Sequence, residues 1–228
     1  MLLAMASSGA FAADMPVRVA PPPPVYNWNG FYIGGNFGGV WDNGTLTDNF
    51  TGASFSGGSL SRFIGGGQIG YNWQVSPQFV LGVEWMFDGT SPNNTTNTVT
   101  VAGPNFGPTV IQGSTTTNWV TTVAARFGYA ANSWLFYGKA GGGWVHDSAT
   151  VTDINDGISV SASNTTGGWL AGAGIEYGFT PNWTMKIEYD HLGLSDVTRS
   201  GFTTVFPSDS VTLSRRLNMV TVGVNYKF

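Results

Sequence analysis

The sequence predicts an all-β fold, an eight-stranded antiparallel transmembrane up-and-down β-barrel with short periplasmic turns and four long extracellular loops. Three observations carry that expectation. Segments of about ten residues alternate bulky apolar with small or polar side chains, the period of a strand with two unlike faces. Connections alternate between tight turns and long polar stretches, which is the connectivity of a membrane barrel. Charged residues are 10% of the 228, less than half the usual share, and they keep to one face of the alternation.

The chain opens on an apolar run, Met1 to Ala12, ending Ala10-Phe11-Ala12 before Ala13-Asp14. That small-x-small ending marks signal cleavage, so residues 1–12 read as a signal peptide with Ala13 as the mature N-terminus. No basic residue precedes Leu2, which reads as a start placed too far downstream. Residues 13–29 hold Pro21 to Pro24 and form an extended polyproline spacer reaching about 50 Å. Residues 30–228 form the barrel. Its strands are expected at Phe31–Trp41, Phe63–Gln74, Phe79–Phe87, Asn118–Tyr129, Trp134–Val145, Gly168–Phe179, Trp183–Tyr189 and Asn218–Phe228. Val75-Ser76-Pro77-Gln78, Ala130-Ala131-Asn132-Ser133 and Thr180-Pro181-Asn182 supply the tight turns.

Size decides which face points outward. One face carries Trp85, Phe87, Phe127, Trp169, Ile175 and Val224, and the other Gly66, Gln68, Gly70, Gly172 and Gly174. An eight-stranded barrel has an interior just wide enough for side chains to fill. The bulky face therefore meets lipid. Charges agree with this assignment. The glutamates Glu84, Glu176 and Glu188, the lysines Lys139, Lys186 and Lys227, and Arg126 all fall on the small-residue face. Buried charges must pair, so an ion-pair network is expected in the lumen, with Glu84 beside Arg126 and Glu176 near Lys139 and Lys186. Solvated surface pairs would be the reading if the polar face lay outside. Trp41, Trp73, Trp134, Trp144, Trp183 and Tyr226 lie at strand ends, where membrane barrels carry aromatic girdles. Ordinary core aromatics beside turns would read the same way.

Several chemistries are excluded or unsupported. A net charge of -4 argues against nucleic acid. Zero cysteines remove disulfides, thiolate metal sites and thiol nucleophiles. His146 and His191, the two histidines, follow the fifth and seventh strands, roughly 10 Å apart across one intervening strand. No nucleophile and base converge, so no enzyme and no metal site is expected. Gly65-Gly66-Gly67 and Gly141-Gly142-Gly143 lie inside strands with no helix to follow, and read as lumen or bend positions.

The terminal Val-Gly-Val-Asn-Tyr-Lys-Phe, Val222 to Phe228, resembles the ending of Gram-negative outer-membrane proteins. Ala13-Asp14, the proline run and Asn27-Trp28-Asn29-Gly30-Phe31-Tyr32-Ile33-Gly34-Gly35-Asn36 narrow the likeness to alphaproteobacterial small outer-membrane immunogenic proteins, an OmpA-like barrel family often called porins. The resemblance implies a surface antigen of the cell envelope, placed among outer-membrane lipid and lipopolysaccharide. It also implies that the barrel-assembly machinery reads Tyr226 and Phe228, and that Ala13, with Asp14 beside it, is a point of attachment to peptidoglycan. A leader with no partner is the plainer reading of that N-terminus. Haemin is the one cofactor the resemblance names, with His146 and His191 as candidate ligands. Four functions follow: a structural barrel with displayed loops, a small-solute porin, a haemin or ligand receptor working through the loops, and a soluble calycin-like barrel with its apolar face inside.

Overall fold

The computed structural model describes residues 26–49, 54–92, 96–103, 106–200 and 210–228. The expected signal segment, most of the spacer and the Ala13-Asp14 attachment point lie outside the described residues. Ten strands are present: β1 (Gly30–Asp48), β2 (Ser54–Gln74), β3 (Phe79–Thr90), β4 (Thr96–Gly103), β5 (Phe106–Ala131), β6 (Trp134–Asp153), β7 (Ile158–Gly178), β8 (Trp183–Leu194), β9 (Val197–Ser200) and β10 (Ser210–Lys227). Eight of them form the ring, in the order β1-β2-β3-β5-β6-β7-β8-β10, and β10 closes on β1. β4 and β9 are short strands laid against the outer ends of β5 and β10. The closing seam runs antiparallel from Tyr32 opposite Lys227 to Asp48 opposite Val211. Every strand edge in the ring is thereby paired, as a bilayer requires of backbone groups that have no water to bond.

The strands run longer than the alternation suggested. β5 has 26 residues, and β2 and β7 have 21 each. Much of each long connection is therefore an extension of the sheet. The cause is composition: Ser, Thr and Val suit strands as well as loops, and their hydroxyls bond across the pair. Thr150 meets Ser161 and Thr152 meets Ser159, each at 2.9 Å. The β6–β7 connection shrinks to residues 154–157, with Gly157 at φ +69°. At the opposite end the turns are tight. Asn132, at φ 55°, takes the left-handed conformation of the β5–β6 turn, a role suited to Asn. Ser76 and Thr180 accept the backbone N–H of Phe79 and Trp183 at 3.1 and 3.0 Å, pinning the other two turns.

Exposure settles the orientation of the wall. Trp85 is 48% and Phe127 57% exposed, whereas Glu84 and Arg126 are 3% and 4% exposed. The bulky face looks out and the charges look in. The interior is nonetheless less small than the size argument requires. Tyr32 and Tyr137 point inward on β1 and β6 and are buried. Each faces a glycine across the ladder, Gly70 and Gly174, where a Cβ would collide with the tyrosine ring or hydroxyl. A large residue opposite none at all fills the same volume as two of middling size.

Candidate functional site in the barrel lumen

The lumen is filled in layers. At its centre Arg126 from β5 reaches Glu84 on β3 at 3.4 Å and Glu176 on β7 at 2.7 Å. Lys139 on β6 meets Glu84 at 3.5 Å, Glu188 at 2.8 Å and Asp190 at 2.9 Å, the last outside hydrogen-bonding geometry. Lys186 on β8 meets Glu84 at 3.0 Å and Glu188 at 3.3 Å. Neutral groups complete the cage. Tyr32 donates to Glu84 at 2.9 Å and Tyr137 to Glu188 at 2.7 Å, while Arg126 donates to the Tyr32 hydroxyl at 2.6 Å. Thr184 and Asn225 both donate to Glu176, at 2.5 and 2.8 Å. The Arg126 guanidinium also lies 3.9 Å from the centre of the Tyr137 ring. Glu84, Glu176, Glu188, Arg126, Lys139 and Lys186 thus each have an opposite charge and a hydrogen bond, the condition under which burial is tolerated.

Apolar and polar layers stack on this cage. Toward the extracellular end, inward-facing Val40, Ile64, Met86, Val120, Leu170 and Leu192 are among the residues of an apolar collar, with the buried carboxylates Asp88 and Asp190 opposite its members Val120 and Met219. Above it, Arg215 pairs with Asp42, and with Asp147 at 2.5 Å, and Arg62 stands 3.5 Å from Asp42. At the periplasmic end, the segment before β1 turns across the mouth. Trp28 is 1% exposed and packs with Val80, Ala130, Leu135 and Tyr137. Its backbone N–H donates to the Gln74 side chain at 2.9 Å, and its ring stands 4.6 Å from that of Tyr26. Burial, and after it the nearby Glu176 carboxylate, push the Tyr26 hydroxyl up to about 12. It stays neutral.

Two expected placements change. Lys227 does not join the central cage: its ammonium donates to the Asn27 carbonyl and lies 4.8 Å from the centre of the Tyr26 ring, so it secures the segment that stoppers the mouth. Glu176 pairs with Arg126, not with Lys139 or Lys186: although Lys186 stands opposite Glu176 on the β7–β8 ladder, its ammonium turns to Glu84 and Glu188. The sequence reading passed over Asp88 and Asp190, although their parity with Glu84 and Glu188 places them on the inner face. Asp88 is buried with no hydrogen-bond partner among the described residues. The apolar collar had no separate signal, since inward and outward residues are both apolar there. His146 and His191 lie on the outer wall, His146 stacked on Trp119 and His191 tilted by 45° against Trp169, with ring centres 5.2 Å apart in each pair. Thr165 bonds the first histidine at 2.9 Å and Asn218 the second at 2.7 Å. Tyr226 and Phe228 also face outward, 5.1 Å apart edge to face, beside Trp183.

Comparison with known proteins follows the same lines. The profile of the outer membrane protein beta-barrel domain matches residues 1–228. The chain belongs to that family. Over 250 aligned residues it is 33% identical to the 31 kDa outer-membrane immunogenic protein of Brucella melitensis, covering 100% of this chain and 97% of that one. It is 30% identical to the 22 kDa outer membrane protein of Rhizobium leguminosarum, across 92% of this chain and 82% of the relative. Among solved structures, the outer membrane protein OprG of Pseudomonas aeruginosa is similar at a TM-score of 0.46 and 16% identity, covering 90% of this chain and 99% of that one. This outer-membrane barrel therefore resides in the outer membrane, its apolar wall against lipid.

Proposed function

We propose that the protein is a closed structural barrel that stabilises the envelope and carries hairpins at the cell surface. The observation that supports this most is the filling of the lumen: the Trp28 stopper, the paired ion cage and the apolar cluster occupy it in succession. A water-filled channel needs about sixteen strands or a lumen cleared of side chains, and neither condition holds. The porin reading is tested in planar bilayers. The folded protein is expected to give no conductance steps above the bare bilayer. Reproducible steps that vanish on heat denaturation would overturn the closed reading.

The same proposal extends to the cell wall. Tyr26 and Trp28 lie at the periplasmic mouth, the end of the barrel that faces the cell wall, and this supports Ala13, with Asp14 beside it, as the point of attachment to peptidoglycan. A muropeptide on the Ala13 amine in lysozyme-digested sacculi is the expected finding, and its absence rejects the tether. Haemin gains nothing from the geometry, because each histidine packs against an indole and bonds a neighbour.

A further inference from the structure

The outer wall is mostly apolar, with neutral polar groups near its extracellular rim. Among the residues whose side chains are described, Arg216 is the one arginine or lysine that points out of the barrel. It stands opposite Gly193 on β8, which in turn stands opposite Trp169 on β7. That row belongs to the extracellular aromatic belt, since Trp41 lies opposite Asn218 two residues along β10. No carboxylate of the described residues pairs with Arg216, while its neighbour Arg215 is turned inward to Asp42 and Asp147. An arginine on a lipid-facing wall is tolerated near the interface, where its cost falls to about 0–1 kcal/mol. There the group at hand to neutralise it is a headgroup anion.

A cleft of about 400 Å³ opens beside it, lined by Trp169, Gly193, Ser195, Asp196, Ser214 and Arg216. The Trp169 indole lies so close over Gly193 that a Cβ there would strike it. That leaves the exposed indole as a flat apolar wall beside two hydroxyls and a guanidinium. Below the cleft, Ala171 and Ala173 are exposed on β7 between Trp169 and Ile175, a shallow trough running down the hydrocarbon wall. Guanidinium for phosphate and indole face for a sugar ring share one row, the serines for its hydroxyls lie two residues further outward, and the alanine track for an acyl chain runs down from the indole. We infer that this cleft binds the headgroup of a phosphorylated glycolipid of the outer leaflet, its phosphate on Arg216 and its sugar against Trp169.

The test measures lipid retained by the detergent-purified full chain, using native mass spectrometry. The probes are diphosphoryl lipid A, its fully dephosphorylated form, and inorganic phosphate as competitor. Wild type is expected to retain diphosphoryl lipid A. Arg216→Glu should lower that retention at least about tenfold and Arg216→Lys less, because lysine lacks the planar fork. Ser214→Glu places a negative charge in the cleft without touching the arginine and should act like Arg216→Glu. Heat-modifiable migration establishes that each variant is folded, and if one substitution blocks assembly the other carries the test. Equal retention by wild type and the folded glutamate variants overturns the site. Equal retention of the dephosphorylated lipid does so too. Competition by inorganic phosphate at the lipid's own concentration would mark a free-anion pocket and overturn the lipid assignment.

Discussion

Arg126 is the residue on which the cage turns, because it alone touches both Glu84 and Glu176 and stacks on Tyr137. Replacing one partner of a buried pair strands the other, at a cost of about 3–5 kcal/mol. Arg126→Met should therefore lower unfolding free energy by about that much, read from urea titration in lipid vesicles. Adding Glu176→Gln should restore part of the loss, since the carboxylate left uncompensated is then neutral. A single variant as stable as wild type would show that water reaches the cage. The tyrosine–glycine pairs make a second test. Gly174→Val forces a side chain into the Tyr137 hydroxyl and should destabilise by about 1–3 kcal/mol, the range for overpacked cores. Tyr137→Ala in the same chain should relieve the clash, and failure to do so would place the strain elsewhere.

Strands and turns show how much of the architecture can be read from side chains alone. Parity along Trp183 to Asp190 separates lipid-facing from lumen-facing residues without error, because period 2 admits no intermediate position. The turn at Asn132 falls within the expected four residues but uses two, a choice made by backbone conformation and invisible to composition. The outer hairpins were read as loops because Ser, Thr and Asn serve both states, and only the register, Thr152 opposite Ser159, decides between them. The cage members could be named from parity, and so could the pairing of Glu84 with Arg126. The other pairings could not, since Lys186 leaves Glu176, its neighbour on the ladder, and crosses the lumen to Glu84, a choice parity does not encode. Trp28 is the clearest gap. It sits in what reads as spacer, yet it is as buried as any residue in the barrel. Trp28→Ala should cost about 3–5 kcal/mol, the range for buried aromatics. It should also speed hydrogen exchange around Gln74, whose side chain accepts the Trp28 N–H. Unchanged exchange there would mean that the segment does not seal the mouth in solution.

For the whole molecule, the hairpin ends are where change is tolerated and the ring is where it is not. The β6–β7 tip at residues 154–157 is exposed and makes no contact with the lumen layers. An epitope inserted after Asp156 should leave heat-modifiable migration intact and bind antibody on unbroken cells. Binding only after lysis would reverse the assigned sidedness. The seam has a wider effect. Gly30 and Phe228, the two limits of the barrel sequence, lie side by side, with the Phe228 N–H donated to the Phe31 carbonyl at 3.0 Å. The first stave thus waits for the last, and a chain stopped anywhere short of its final residues offers hydrocarbon two raw backbone borders.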